Sequence, residues 1–222
     1  MSELDEILKG FCRKLGKFAA QYNLHTKEFI TYGFFDGLLF TFEHYLEQEE
    51  SCISFNVSSR IKSLKSDEIL CDAIGLDKPD LDFSIFNEYA VRSFPFSFKS
   101  TEFSDMQELQ DFALDDMPDD SYHGFLESYQ KSIESLIQAF KIDTPSIIQG
   151  LYDCIYKYEG NQNMLWSDKT LMQVLLLIEL KERKQALGIL KYDTRTNDER
   201  KFFIEYDDGN AEIFDILISY LE

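Results

Sequence analysis

Leu4, Ile7, Leu8, Phe11, Leu15, Phe18, Ala19 and Tyr22 recur three and four positions apart, with Lys9, Arg13, Lys14 and Lys17 between them. That period predicts an amphipathic first helix, capped by Ser2 with Asp5 three residues on. From Glu28 the texture changes to aromatic and β-branched runs: Phe29 to Tyr32, Leu38 to Phe42 and Ile53 to Val57, with Asp36-Gly37 between the first two. Three antiparallel strands are expected, the first two joined by a tight hairpin turn. Apolar residues stand on both parities from Thr26 to Glu47, so a single long helix is the competing reading of that stretch.

Ile61 to Ile74 has helical spacing and stops at Gly75, a residue suited to a C-terminal cap. Asp77 to Thr101 alternates loosely and contains Pro95, which restricts it to an edge strand or irregular chain. Three helices are expected next. One runs from Ser104 to Pro118, the second carries Phe125 to Phe140, and the third opens at Thr144-Pro145 and closes at Gly160. A fourth, capped by Ser167, is apolar on almost every side from Leu171 to Leu180 and belongs in the middle of a core. Ala186 to Tyr192 and Lys201 to Tyr206 are expected to pair as a hairpin, before a last helix that begins after Asp208-Gly209-Asn210. With no repeat and no Pro-, Gly- or Ser-rich linker, the expected fold is a single α+β domain over residues 1–222. In it several helices pack with a short antiparallel sheet and a C-terminal β-hairpin plus helix.

Composition adds a second pattern to the first. The chain carries 41 acids against 22 bases, a net charge of −19, and the acids are unevenly spread. Ser66 to Gln130 holds sixteen acids and only Lys78, Arg92 and Lys99 as bases, so thirteen of the net negative charges lie there. With 44% hydrophobic residues and 20 Phe the chain folds, and the acids decorate its surface. Such a field repels nucleic acid and anionic membranes and steers cationic surfaces inward. Between Ser100 and Gln130 nine acids stand with no lysine or arginine. On a helix, Glu108, Asp111 and Asp115 fall within about 60° of one another at ~100° per residue.

The sequence lacks the patterns that carry most chemistry. The ten glycines never form G-x-G or a Walker frame, and there is no G-x-S-x-G elbow. His25, His44 and His123 are not paired at i, i+4, so no H-E-x-x-H zinc helix exists. Asp115-Asp116-Met117-Pro118-Asp119-Asp120 lacks the glycine and glutamate of a calcium loop. Cys12, Cys52, Cys71 and Cys154 lie far apart and suit reduced, buried thiols of a cytoplasmic protein. The acidic N-terminus lacks a secretory signal, and the longest apolar run, Val174 to Ile178, is far short of a membrane span.

The expectation is therefore a non-enzymatic binding protein without cofactor or metal, whose partner is a basic protein and neither nucleic acid nor membrane. The expected contact residues are Asp105, Glu108, Asp111, Asp115, Asp116, Asp119 and Asp120, with Phe96 of Phe94-Pro95-Phe96-Ser97-Phe98 as an apolar anchor beside them. In being small, strongly acidic, α+β and empty of catalytic motifs, the chain resembles the bacterial immunity proteins that bind and silence secreted toxins, especially nucleases with basic active-site surfaces. The resemblance implies occlusion, with carboxylates taking the positions of substrate phosphates. Two alternatives stand beside it: a nucleic-acid mimic or secretion chaperone, and a hydrolase or transferase with dispersed acidic residues.

Overall fold

The computed structural model describes residues 3–49, 52–86, 90–91, 93–96, 117–157, 166–196, 203–206 and 209–222. The fold is α+β, and the chain divides into two compact units. The first comprises Met1–Ile61 and Pro95–Gln138, and the second Lys62–Phe94 and Ala139–Glu222.

In the first unit, helix α1 (Glu3–Ala19) ends in a 3₁₀ turn (Ala20–Tyr22), where Asn23 adopts a positive φ of 56° and the Leu24 N–H returns to the Ala19 carbonyl at 3.1 Å. A sheet of order β1-β2-β3-β4-β5 follows: β1 (His25–Lys27), β2 (Ile30–Phe35), β3 (Leu38–Glu49), β4 (Cys52–Ser63) and β5 (Phe94–Pro95). β1, β2 and β3 pair antiparallel, so Thr26 to Glu47 is sheet and the long-helix alternative fails. The deciding feature is the two-residue loop. Asp36 and Gly37 have φ of 53° and 83°, the left-handed pair that matches strand twist in a tight hairpin, and Phe35 pairs with Leu38 across it. The resulting register puts Thr31, Gly33, Phe40, Phe42 and His44 on one face, all of them buried. Against that face pack Leu8, Phe11, Cys12 and Leu15 of α1 and the apolar side of α4 (Asp119–Asp143), with Phe11 at 4.9 to 5.7 Å from the rings of Phe55, Phe125, Tyr122 and His44. β5 is the edge strand expected of Pro95.

The second unit is built on α6 (Trp166–Glu179), whose Leu171 to Leu177 are buried without a break, as the all-round apolar run predicts. α2 (Leu64–Ile74), α5 (Ile147–Lys157) and α7 (Arg183–Thr196) pack on α6, and α8 (Ile213–Leu221) packs on α2 and α7. The short helix α3 (Leu81–Phe86) lies in the stretch expected to be strand or irregular chain. Its first turn is set by Asp80, whose carboxylate accepts the Phe83 N–H at 2.8 Å. α2 is capped at its start by Ser63, whose hydroxyl accepts the Lys65 N–H at 3.2 Å, and at its end by Gly75 with φ of 74°.

Three local expectations change. Ala186 to Tyr192 is helix α7, not strand. Buried Ala186 and Leu190 are four apart, and Arg183-Lys184-Gln185-Ala186-Leu187 is a run of strong helix formers. The C-terminal hairpin joins β6 (Phe203–Tyr206) to β7 (Gly209–Glu212) instead, with Phe203 opposite Glu212 and Tyr206 opposite Gly209. α5 is capped by Ser146, which accepts the Gln149 N–H at 3.1 Å, because the Thr144 hydroxyl donates to the Phe140 and Ser146 carbonyls. Arg183 opens α7 and caps α8: its guanidinium donates to the carbonyls of Leu221 and Tyr220. The expected Ser104 helix and the Ser2 and Ser167 caps lie outside the described residues or side chains.

Among the described residues, no helix is long and apolar enough to cross a membrane. Nor does any group of three or more His, Cys, Asp and Glu there have a metal-binding arrangement.

Candidate functional site

Of the residues expected to meet a partner, Asp105, Glu108, Asp111, Asp115 and Asp116 lie outside the described residues. Asp119 and Asp120 are placed in the first turn of α4, both exposed. Carboxylates there complement the positive end of the helix dipole, so this part of the acidic run has a stabilising role as well. Phe96 is half-buried. Its ring meets Phe40 and Phe42 edge-on at 5.9 and 6.0 Å, its N–H donates to the Ser59 carbonyl at 3.1 Å, and its carbonyl accepts the Ser59 hydroxyl at 2.6 Å. Its place is in the aromatic core, holding the chain to β4.

Two further acids, Glu127 and Glu134, are exposed on the same helix. On α4, Tyr122, Phe125, Leu126, Tyr129, Ile133, Ile137 and Phe140 are buried, while Asp120, Glu127 and Glu134 are exposed on the opposite side. These three acids are seven positions apart, so they form a stripe with steps of ~10.5 Å along the helix. Lys131 pairs with Glu127 at 3.2 Å, and Gln130 donates to Glu134 at 3.1 Å. Glu127 and Glu134 were within reach of sequence reading: the seven-residue spacing opposite a periodic apolar face was the signal.

The buried ionisable groups form two networks. In the first unit, His44 Nδ1 lies 2.7 Å from the Phe29 carbonyl, which only accepts, so Nδ1 carries the proton and Nε2 accepts the Tyr129 hydroxyl at 2.9 Å. Cys12 Sγ lies 3.7 Å from His44 Nδ1, and the Tyr129 ring stacks on Phe42 at 4.1 Å. Burial holds the imidazole down at about 4, with the Phe29 carbonyl pulling the other way, and pushes the Cys12 thiol up to about 12. A thiol so far from ionisation is no nucleophile. In the same unit His123 Nδ1 bonds the Tyr22 hydroxyl at 2.9 Å.

In the second unit, Lys62 and Asp67 form an ion pair at 2.7 Å, with 1% and 0% of their side chains exposed. Lys62 Nζ also donates to the Val91 carbonyl at 2.9 Å, and Asp67 Oδ1 accepts the Val91 N–H at 2.8 Å. Both backbone groups of Val91 are thereby satisfied by one charge pair. Asp67 Oδ2 makes no well-angled hydrogen bond and takes its compensation from the ammonium charge. Burial lowers the Lys62 pKa, and the Asp67 charge opposes that shift.

The second unit also carries a groove of about 580 Å³. α6 lines it with Lys169, Thr170 and Gln173, α7 with Gln185, Gly188, Ile189 and Tyr192, and α5 with Tyr156. Comparison with protein-family models, curated proteins and solved structures finds no match to this chain.

Proposed function

We propose that this protein is an acidic binding protein that neutralises a basic protein partner, acting as an immunity protein that blocks a bacterial toxin of the nuclease type. The observation that carries the reading is the outer side of α4. There Asp119, Asp120, Glu127 and Glu134 stay exposed while the opposite side is packed, and the first three belong to a stretch, Ser100 to Gln130, that contains nine acids and no base. Like charges gathered on one surface repel, and a cationic partner relieves that repulsion on docking while its approach is accelerated by the field. The carboxylates then stand where the phosphates of a nucleic-acid substrate would sit, and the toxin's site is occluded without any chemistry by the inhibitor.

The test is association kinetics with a toxin nuclease retained from native lysate at low salt. The double variant Asp120→Lys/Glu134→Lys is expected to keep its helical circular dichroism. It should associate at least tenfold more slowly than the parent at low ionic strength, and the difference should shrink as salt rises. Equal association rates at low salt, or capture of a partner that is not basic, would reject the reading.

A further inference from the structure

We propose that Lys62 and Asp67 form a self-modification site: in the folded chain the Lys62 amine condenses with the Asp67 carboxyl, releasing water and leaving an isopeptide bond between the end of β4 and the start of α2. The inference goes beyond the binding reading and uses none of its residues. The buried ion pair described above is the reactant.

The first observation is which atom lacks a partner. Among the described residues, Asp67 Oδ2 is the one buried side-chain oxygen or nitrogen without a hydrogen bond, although Lys62 Nζ stands 2.7 Å from it. The other two atoms are satisfied: Nζ donates to the Val91 carbonyl at 2.9 Å, and Oδ1 accepts the Val91 N–H at 2.8 Å. A buried polar atom left out of the network calls for an explanation. Condensation supplies one, because it expels Oδ2 and keeps Nζ and Oδ1, the two atoms that Val91 already holds.

The second observation is how the pair is positioned. Lys62 is the last residue but one of β4, Asp67 is in the first turn of α2, and the helix begins directly after the strand. Ser63 braces the corner, accepting the Lys65 N–H at 3.2 Å and donating to Glu179 Oε2 at 2.6 Å. The reacting groups are therefore held in contact by regular elements, with 1% and 0% of their side chains exposed. Well-oriented neighbours of this kind react as if at effective concentrations of ~10⁵ to 10⁸ M. Burial also penalises two charges far more than a neutral amide, so the surroundings favour the product.

The step balances without a co-reactant. A proton passes from Nζ to Oδ2, giving an amine and a carboxylic acid; burial, which lowers the Lys62 pKa, favours this form of the amine. The Nζ lone pair attacks Asp67 Cγ and the Nζ–Cγ bond forms. The Cγ–Oδ2 bond then breaks, and the hydroxyl departs with a second proton from nitrogen as water.

The experiment is intact-mass spectrometry of the full chain, freshly purified and after prolonged incubation in the folded state at neutral pH. The parent is expected to weigh one water less than its sequence, in a fraction that does not fall with incubation. Trypsin should then release a branched peptide in which residues 61–65 and 66–92 are joined through Lys62 and Asp67. Lys62→Arg keeps the cation but has no amine to acylate, so it should retain the full mass. The proposal is overturned by the full sequence mass in all parent samples, by water loss that persists in Lys62→Arg, or by water loss that maps elsewhere, such as a succinimide at Asp36-Gly37.

Discussion

Replacing Lys62 by Met is expected to destabilise the unit that contains it by about 3 to 5 kcal/mol, the largest loss of any single substitution considered for this chain. The Asp67 carboxylate would remain fully buried, 2.8 Å from the Val91 N–H, with its counter-charge removed and the Val91 carbonyl left without its donor. An uncompensated buried charge is far costlier than the pair is beneficial. Lys62→Met/Asp67→Leu should therefore be more stable than Lys62→Met alone, because it removes the orphaned charge. It should remain below the parent, because both backbone groups of Val91 lose their partners. Urea and thermal unfolding followed by circular dichroism read the effect. At ~2 to 4 °C per kcal/mol for a chain of this size, the Lys62→Met midpoint should fall by roughly 10 °C. A loss under 1 kcal/mol, or a double variant weaker than the single one, would show that the ion pair is not what holds Val91 in place.

The second prediction is a loss of stability in mild acid, centred on His44. Its folded-state pKa, about 4, lies below the ordinary value of 6.5. Above pH 6.5 the imidazole is neutral in the folded and unfolded chain, and its contribution is complete. As pH falls below 6.5 the unfolded chain takes up a proton that the folded chain refuses until about 4, so stability declines across that window and levels off below it. The full difference amounts to about 3 kcal/mol. Carboxylates titrate near the bottom of the same range, so the informative quantity is the difference between the parent and His44→Gln, whose amide can still donate to the Phe29 carbonyl and accept from Tyr129. Urea unfolding at intervals from pH 7 to 4.5 should show a steeper decline for the parent. Parallel curves would mean that His44 is not the group responsible. The same network gives a spectroscopic check: at neutral pH the imidazole ¹⁵N shifts should report a proton on Nδ1 and none on Nε2.

What the sequence determined by itself is whatever short-range physics controls. The α+β class, the first helix, the Asp36-Gly37 turn, the Gly75 cap and the buried run Leu171 to Leu177 of α6 follow from apolar period and turn chemistry, which act within a few residues. The concentration of acids is likewise a property of the chain, and α4 displays part of it because its apolar face leaves Asp120, Glu127 and Glu134 nowhere but outside. Where apolar residues crowd both parities, local pattern does not choose between helix and strand; Ala186 to Tyr192 became helix because its packed positions, Ala186 and Leu190, are four apart. Tertiary structure alone decided the rest. Phe96, expected as an apolar anchor beside the acids, is held by Phe40, Phe42 and Ser59, residues 37 to 56 positions away in sequence. His44 meets Tyr129 across 85 positions, Arg183 caps a helix 37 and 38 positions on, and the groove between α5, α6 and α7 gathers side chains from three helices. Such pairings depend on how elements pack, and no spacing along the chain encodes them.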